Sequence, residues 1–160
     1  MRMSGGVEWA VHCCVVLTDV ERPVPAATLA KLHDVSMTYL AKQMQALARA
    51  DLVRSVQGKA GGYVLTRSPD DITVLDVVLA IEGPEPQFVC TEIRQRGPLG
   101  TPPEDCRTAC PVAKAMLKAE AAWRGALKEV SIGDLVREVD RSSGKDALAT
   151  IRAWFGGDAA

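Results

Sequence analysis

Apolar residues recur at helical spacing along most of this chain. Over residues 7–20, Val7, Val11, Cys14, Val15 and Thr18 share one face at about 100° per residue, which predicts a first helix with that face in the core. Glu21-Arg22-Pro23-Val24-Pro25 breaks it. A short helix is expected over 26–33, with Leu29, Ala30 and Leu32 apolar. Asp34-Val35-Ser36 reads as a turn, with Ser36 placed to cap a helix over 37–50 in which Leu40, Met44 and Leu47 repeat.

The period then changes. Residues 51–56 and 63–66 read as strands around the glycine-rich turn Gly58-Lys59-Ala60-Gly61-Gly62, which makes a β-hairpin. A helix follows over 74–82 and stops before Gly83-Pro84. From Pro84 to Cys110 the chain is rich in proline and lacks a helical or strand period; a loop this long is usually functional or disordered. Pro111 opens a long helix to about Val130, with Ala113, Met116, Leu117, Trp123 and Leu127 apolar. Ser131-Ile132-Gly133 is expected to break it before a shorter helical tail carrying Ile151, Trp154 and Phe155. The predicted fold is mainly α with a small β-hairpin wing.

Two short helices, a tight turn and a hairpin spell a winged helix-turn-helix. The second helix of such a pair enters the major groove and reads bases with its N-terminal residues. Those residues are Ser36, Thr38, Tyr39, Lys42 and Gln43, all able to hydrogen-bond to bases or phosphates. Arg54 and Lys59 add the wing's charge. Although the net charge is −1, the stretch from Ser36 to Arg67 holds Lys42, Arg49, Arg54, Lys59 and Arg67 against the single acid Asp51. Phosphate contacts need such a concentration. The expected partner is double-stranded DNA.

Five cysteines stand at 13, 14, 90, 106 and 110. Cys13 and Cys14 lie inside a helical run and read as small buried residues. The other three share the loop and read as metal-binding or redox-active. No stretch approaches the roughly 20 apolar residues that span a bilayer. The start of the chain is a poor secretion signal. A cytoplasmic location without a membrane partner is therefore expected. No paired acid and base surround a pocket and the loop has no nucleotide-binding motif, so neither an enzyme nor a small-molecule substrate is expected.

Ser36-Met37-Thr38-Tyr39-Leu40, residues 47–53 and the wing run Gly58-Lys59-Ala60-Gly61-Gly62-Tyr63-Val64-Leu65 closely resemble the IscR/NsrR family of bacterial iron–sulfur regulators. The resemblance covers roughly residues 7–130. It implies a homodimer joined through the long helix, with each cysteine loop near the twin's first helix. The organisation it implies is a winged helix-turn-helix DNA-binding domain over 1–83, a cluster-binding loop over 84–110, and a dimerisation helix with a helical tail over 111–160. A two-fold dimer should read an inverted-repeat operator, with half-sites about one helical turn apart or a multiple of it.

The cysteine spacing departs from the family's three cysteines about six apart. Cys90 and Cys106 are sixteen apart, Cys106 and Cys110 four, and Ala113 stands where some members place a histidine. These departures look most like the redox-responsive RsrR branch. Glu8 and His12, four apart, share one side of the first helix and flank its core face. An acidic residue at the position of Glu8 serves as a ligand across the dimer in nitric-oxide-sensing relatives. The resemblance thus implies Cys90 and Cys110 of one subunit, with Glu8 and His12 of the other, around a 2Fe–2S cluster, one per subunit.

Cys106 is a reserve ligand. If it binds, a 4Fe–4S cluster with three cysteines and Glu8 fits better, in a regulator responding to nitric oxide or iron. Zinc on the three loop cysteines, or a thiol switch without metal, are further readings of the same residues. Histidine ligation would couple a proton to reduction. Trp9, between Glu8 and His12, is bulky enough to act as a lever on the DNA-reading helices.

Overall fold

A computed structural model describes residues 3–20, 22–58, 60–142 and 147–157. The chain divides into two compact units. One holds the residues up to Pro84 and those from Leu127 onward; the other runs from Glu85 to Ala126.

In the first unit, α1 (Gly5–Val16) passes into a single 3₁₀ turn, Leu17–Asp19. It buries Val7, Ala10, Cys13, Cys14, Val15 and Val16. That is more than one stripe, because α3, α4 and α6 all pack on it. The helix-turn-helix consists of α2 (Ala26–Leu32) and α3 (Met37–Arg49). Between them Asp34 takes φ 49°, a left-handed conformation that aspartate tolerates better than most residues. The Val35 amide donates to the Ala30 carbonyl at 3.0 Å and closes the turn. Leu40, Met44 and Leu47 of α3 are fully buried, as their spacing predicts. Each such side chain contributes about 1.5–3 kcal/mol by leaving water.

The wing is an antiparallel pair, β1 (Val53–Val56) and β2 (Gly62–Leu65), in the register Val53↔Leu65 to Val56↔Gly62. Its first strand starts later than the sequence predicts, because Asp51 serves to end α3. Asp51 adopts φ 55°, its amide donates to Ala48 at 3.1 Å, and the Leu52 amide reaches back to Leu47 at 3.0 Å. This is a Schellman closure with aspartate in the position usually held by glycine. A bridge from Val24 to Tyr63 ties the wing to the segment before α2.

Helix α4 (Val74–Glu82) matches its predicted span and starts in a capping box between Thr73 and Asp76. The second unit contains the cysteine loop, with short 3₁₀ turns at Ile93–Gln95 and Pro103–Asp105, and most of α5 (Pro111–Lys128).

The expected break at residues 131–133 falls earlier than predicted. Ser131 caps α6 (Ile132–Ser142), so Ile132 and Gly133 are already helical. The Ser131 hydroxyl accepts from the Asp134 amide at 3.0 Å, and Asp134 accepts from the Ser131 amide at 2.9 Å. A further helix, α7 (Ala147–Gly157), buries Leu148 and carries Arg152, which pairs with Asp19.

Candidate DNA-binding face and cysteine loop

Helix α3 has two opposite stripes. Leu40, Met44 and Leu47 face the core, while Ser36, Thr38, Tyr39 and Lys42 are exposed. The Ser36 hydroxyl makes no cap hydrogen bond, contrary to its expected capping role. Gln43 differs from its expected place in the DNA-reading row. It is 5% exposed, and a Cβ added to Gly6 would come within 2.9 Å of its side-chain amide. Gln43 therefore packs under α1, one position from Met44 on the inward side. Gln45 and Arg49 are exposed instead. Thr38, Lys42, Gln45 and Arg49 follow helical spacing, so the period counted from Lys42 could have located Gln45.

Arg54 is exposed on β1. Lys59 lies outside the described residues. Arg67, counted in the local positive charge, is engaged within the fold. It donates to the Asp71 carbonyl at 3.1 Å and to the Asp51 carbonyl at 3.2 Å, and lies 3.8 Å from Asp76. Gly62 has an internal reason to be glycine: a Cβ there would run into the Val24 backbone.

On α1, Glu8 and His12 are exposed and Trp9 is half-buried. The Trp9 ring packs on Tyr39, and the His12 ring lies 5.8 Å from that of His33, centroid to centroid. His33 follows the last residue of α2, and its Nε2 is buried without a hydrogen-bond partner among the described residues. Burial, then the neighbouring His12, hold its pKa below the usual histidine range. Cys13 and Cys14 are completely buried, and burial pushes both thiols up to about 12. They are inert as thiolates near neutral pH.

In the second unit Cys90, Cys106 and Cys110 are free and half-exposed. The Cys90 thiol donates to Glu92 Oε1 at 3.7 Å. At the base of the loop the buried Glu120 carboxylate accepts from the Gln87 amide at 3.1 Å and from Arg124 at 2.9 Å. Val89, Ile93 and Leu99 stand exposed, Leu99 at 95%. Among the described residues no three histidine, cysteine, aspartate or glutamate side chains gather into a group that could hold a metal ion. Glu8 and His12 belong to the first unit and the loop cysteines to the second.

A family model for Rrf2, described as an iron-dependent transcriptional regulator, matches residues 3–138. The chain belongs to the Rrf2 family. Protein aau3 of Rhizobium meliloti (strain 1021) is 35% identical over 138 residues, 86% of each chain. The Rrf2 chain described above is 40% identical over 84 residues to the HTH-type transcriptional regulator IscR of Aliivibrio salmonicida (strain LFI1238), 51% of this chain and 50% of that one. Its fold is shared with the global cysteine regulator CymR of Bacillus subtilis, at a TM-score of 0.67 and 23% identity over 86% of this chain and 98% of that one.

This Rrf2 protein is accordingly a DNA-binding transcription regulator with a winged helix-turn-helix, and not an enzyme. Among the described residues no helix is long and apolar enough to cross a membrane.

Proposed function

We propose that the chain is a redox-sensing regulator of the RsrR branch, holding one 2Fe–2S cluster per subunit of a homodimer. In this reading Cys90 and Cys110 of one subunit, with Glu8 and His12 of the other, are the ligands. Residues 84–110 form the cluster loop and 111–160 carry the dimer contact and tail. One observation carries it: α1 exposes Glu8 and His12 while burying both of its own sulfurs.

The donor chemistry fits an iron–sulfur group. Iron–sulfur clusters take cysteine thiolates, and imidazole can replace cysteine. Three half-exposed thiols in one loop, which among the described residues do not gather with other donors into a complete group, fit ligands drawn from a second copy. Exposed Val112, Met116 and Leu117 on α5 offer that copy an apolar contact. When bound, the cluster supplies a one-electron couple. Trp9, between Glu8 and His12, touches Tyr39, so a shift of α1 reaches α3 directly. Ser36, Thr38, Tyr39, Lys42, Gln45 and Arg54 then meet an inverted-repeat operator in the cytoplasm.

A second reading, a 4Fe–4S cluster on three cysteines and Glu8 that responds to nitric oxide or iron, is favoured by one observation. Cys106 is free and half-exposed in the same unit as Cys90 and Cys110.

The test is anaerobic purification of the full chain with iron and sulfide analysis, then operator binding in both redox states. The expected material is brown, with equal iron and sulfide and redox-dependent affinity. Loss of colour in Cys106→Ser would favour the second reading. Colourless, iron-free protein that still senses oxidants on DNA would overturn both in favour of a zinc or thiol regulator.

A further inference from the structure

One side chain joins the two arms of the cysteine loop. Arg94 Nε donates to Glu92 Oε2 at 2.7 Å, on the Cys90 arm. Its Nη2 donates to the Thr108 carbonyl at 2.6 Å, on the Cys110 arm. Its own carbonyl accepts from the Thr101 amide at 2.8 Å. Glu92 uses its other carboxylate oxygen for the Cys90 thiol at 3.7 Å. A continuous chain of contacts therefore runs from Cys90 through Glu92 and Arg94 to Thr108, two residues short of Cys110.

The intervening segment cannot set that geometry alone. Between Cys90 and Cys110 it contains only two short 3₁₀ turns. Loop ends are brought together at an entropic cost, and directed contacts must offset it. An arginine suits this task because its planar fork presents donors in fixed, divergent directions; a lysine has a single point charge. Glu92 takes φ 50°, a conformation few non-glycine residues adopt, and the bond to Arg94 favours that placement. The charged form of Arg94 is favoured first by the hydrogen bond to Glu92, against partial burial, and then by Cys106, Glu92 and Cys110. The guanidinium thus sits between the arms, with the Glu92 carboxylate between it and the Cys90 thiol.

We propose that Arg94 is the positioning residue of the cysteine loop, fixing the Cys90 arm against the Cys110 arm so that their sulfurs can be spanned by one acceptor. Its relevance to the cluster rests on the reading of Cys90 and Cys110 as ligands; the positioning itself does not.

The experiment uses the metal-free full chain carrying Cys106→Ser, which leaves Cys90 and Cys110 as the only loop thiols. Phenylarsine oxide is the probe. It condenses with two neighbouring thiols, forming two arsenic–sulfur bonds and releasing one water, with no change of oxidation state. Mass spectrometry reads its capture. The parent should bind one equivalent across Cys90 and Cys110. Arg94→Gln should weaken capture roughly ten- to hundredfold, the range seen when outer-shell partners of ligands are removed. Arg94→Lys should not rescue it, and Glu92→Gln should fall between. Far-UV circular dichroism checks the fold; if Arg94→Gln does not fold, Glu92→Gln carries the test.

Equal capture by the parent and the folded variants overturns the proposal, whatever the metal content. Weakened capture by Arg94→Gln, together with a wild-type chain (Cys106 intact) that takes up no iron on anaerobic reconstitution, keeps the positioning role and removes the cluster reading. With the cluster present, the wild-type background should lose iron to a chelator about tenfold more slowly than Arg94→Gln.

Discussion

The Trp9 indole meets the Tyr39 ring edge-on, with centroids 4.9 Å apart and planes at 81°. The two residues sit on different helices with different work. Trp9 lies on α1 between Glu8 and His12; Tyr39 lies in the first turns of α3, where such helices read bases. An edge-to-face pair contributes about 0.5–1.5 kcal/mol beyond the area it buries. If that contact couples the helices, Trp9→Ala should shrink the ratio of operator affinities between the oxidised and reduced protein by roughly two- to tenfold, the same energy converted. Tyr39→Phe keeps the ring contact and should keep the ratio, while lowering affinity in both states if the hydroxyl meets DNA. Fluorescence anisotropy on a selected operator measures both. An unchanged ratio in Trp9→Ala would remove the lever.

Lys42 and Gln43 are neighbours in sequence but separate in role. Lys42 is exposed, Gln43 buried under Gly6. Lys42→Ala should weaken operator binding across all salt concentrations and lower the salt slope by about one. Gln43→Ala should instead lower stability, by about 1–3 kcal/mol if the amide leaves a partner unsatisfied, and leave the salt slope unchanged. Gln45→Ala should change affinity without changing stability. A salt titration paired with urea unfolding separates the three.

These contrasts show how far the sequence could be read. The buried stripe Leu40, Met44, Leu47 and the span of α4 were legible because apolar spacing and capping residues record the same period that burial imposes. Gln43 was not legible, since a polar residue on a helix signals exposure unless the neighbouring helix approaches closely. That approach depends on Gly6, far away in sequence. The start of β1 was misplaced for a related reason: Asp51 belongs to the end of α3, and an aspartate in a left-handed cap looks like any polar strand residue. Ser131-x-x-Asp134 did carry a readable capping signal, obscured by the glycine at 133 that suggested a break. In the cysteine loop the spacing of the sulfurs gave no sign that Arg94 would join Glu92 to Thr108.

The wing offers a test of packing rather than chemistry. Gly62 pairs with Val56, and its Cα faces the Val24 backbone where a methyl group has no room. Gly62→Ala must push the wing away from the segment before α2, breaking the Val24–Tyr63 bridge. Overpacking of this kind costs about 1–3 kcal/mol. Urea unfolding should show that loss, and DNA binding should weaken with it as the wing shifts. A variant as stable as the parent would mean that the wing accommodates the methyl without moving.

Asp134 links stability to pH in a defined direction. The Ser131 amide, then Arg137 at 2.8 Å and the Ser131 hydroxyl, hold its pKa at about 2, below the ordinary value of 3.8. A carboxyl depressed in the folded state binds its proton more readily when unfolded. Its contribution is therefore complete above the unfolded value and is lost as pH falls through about 2. Asp134→Asn removes the charge but keeps an amide oxygen to accept from Ser131. The difference in urea midpoint between parent and variant should be constant from pH 7 to about 5 and should narrow as pH falls from about 4 toward 2. The other carboxylates titrate equally in both proteins and cancel in that difference. Because Asp134 and Arg137 are solvent-exposed, the gap should also shrink with added salt. A gap that stayed constant down to pH 2 would show that the Asp134 charge does not hold the start of α6.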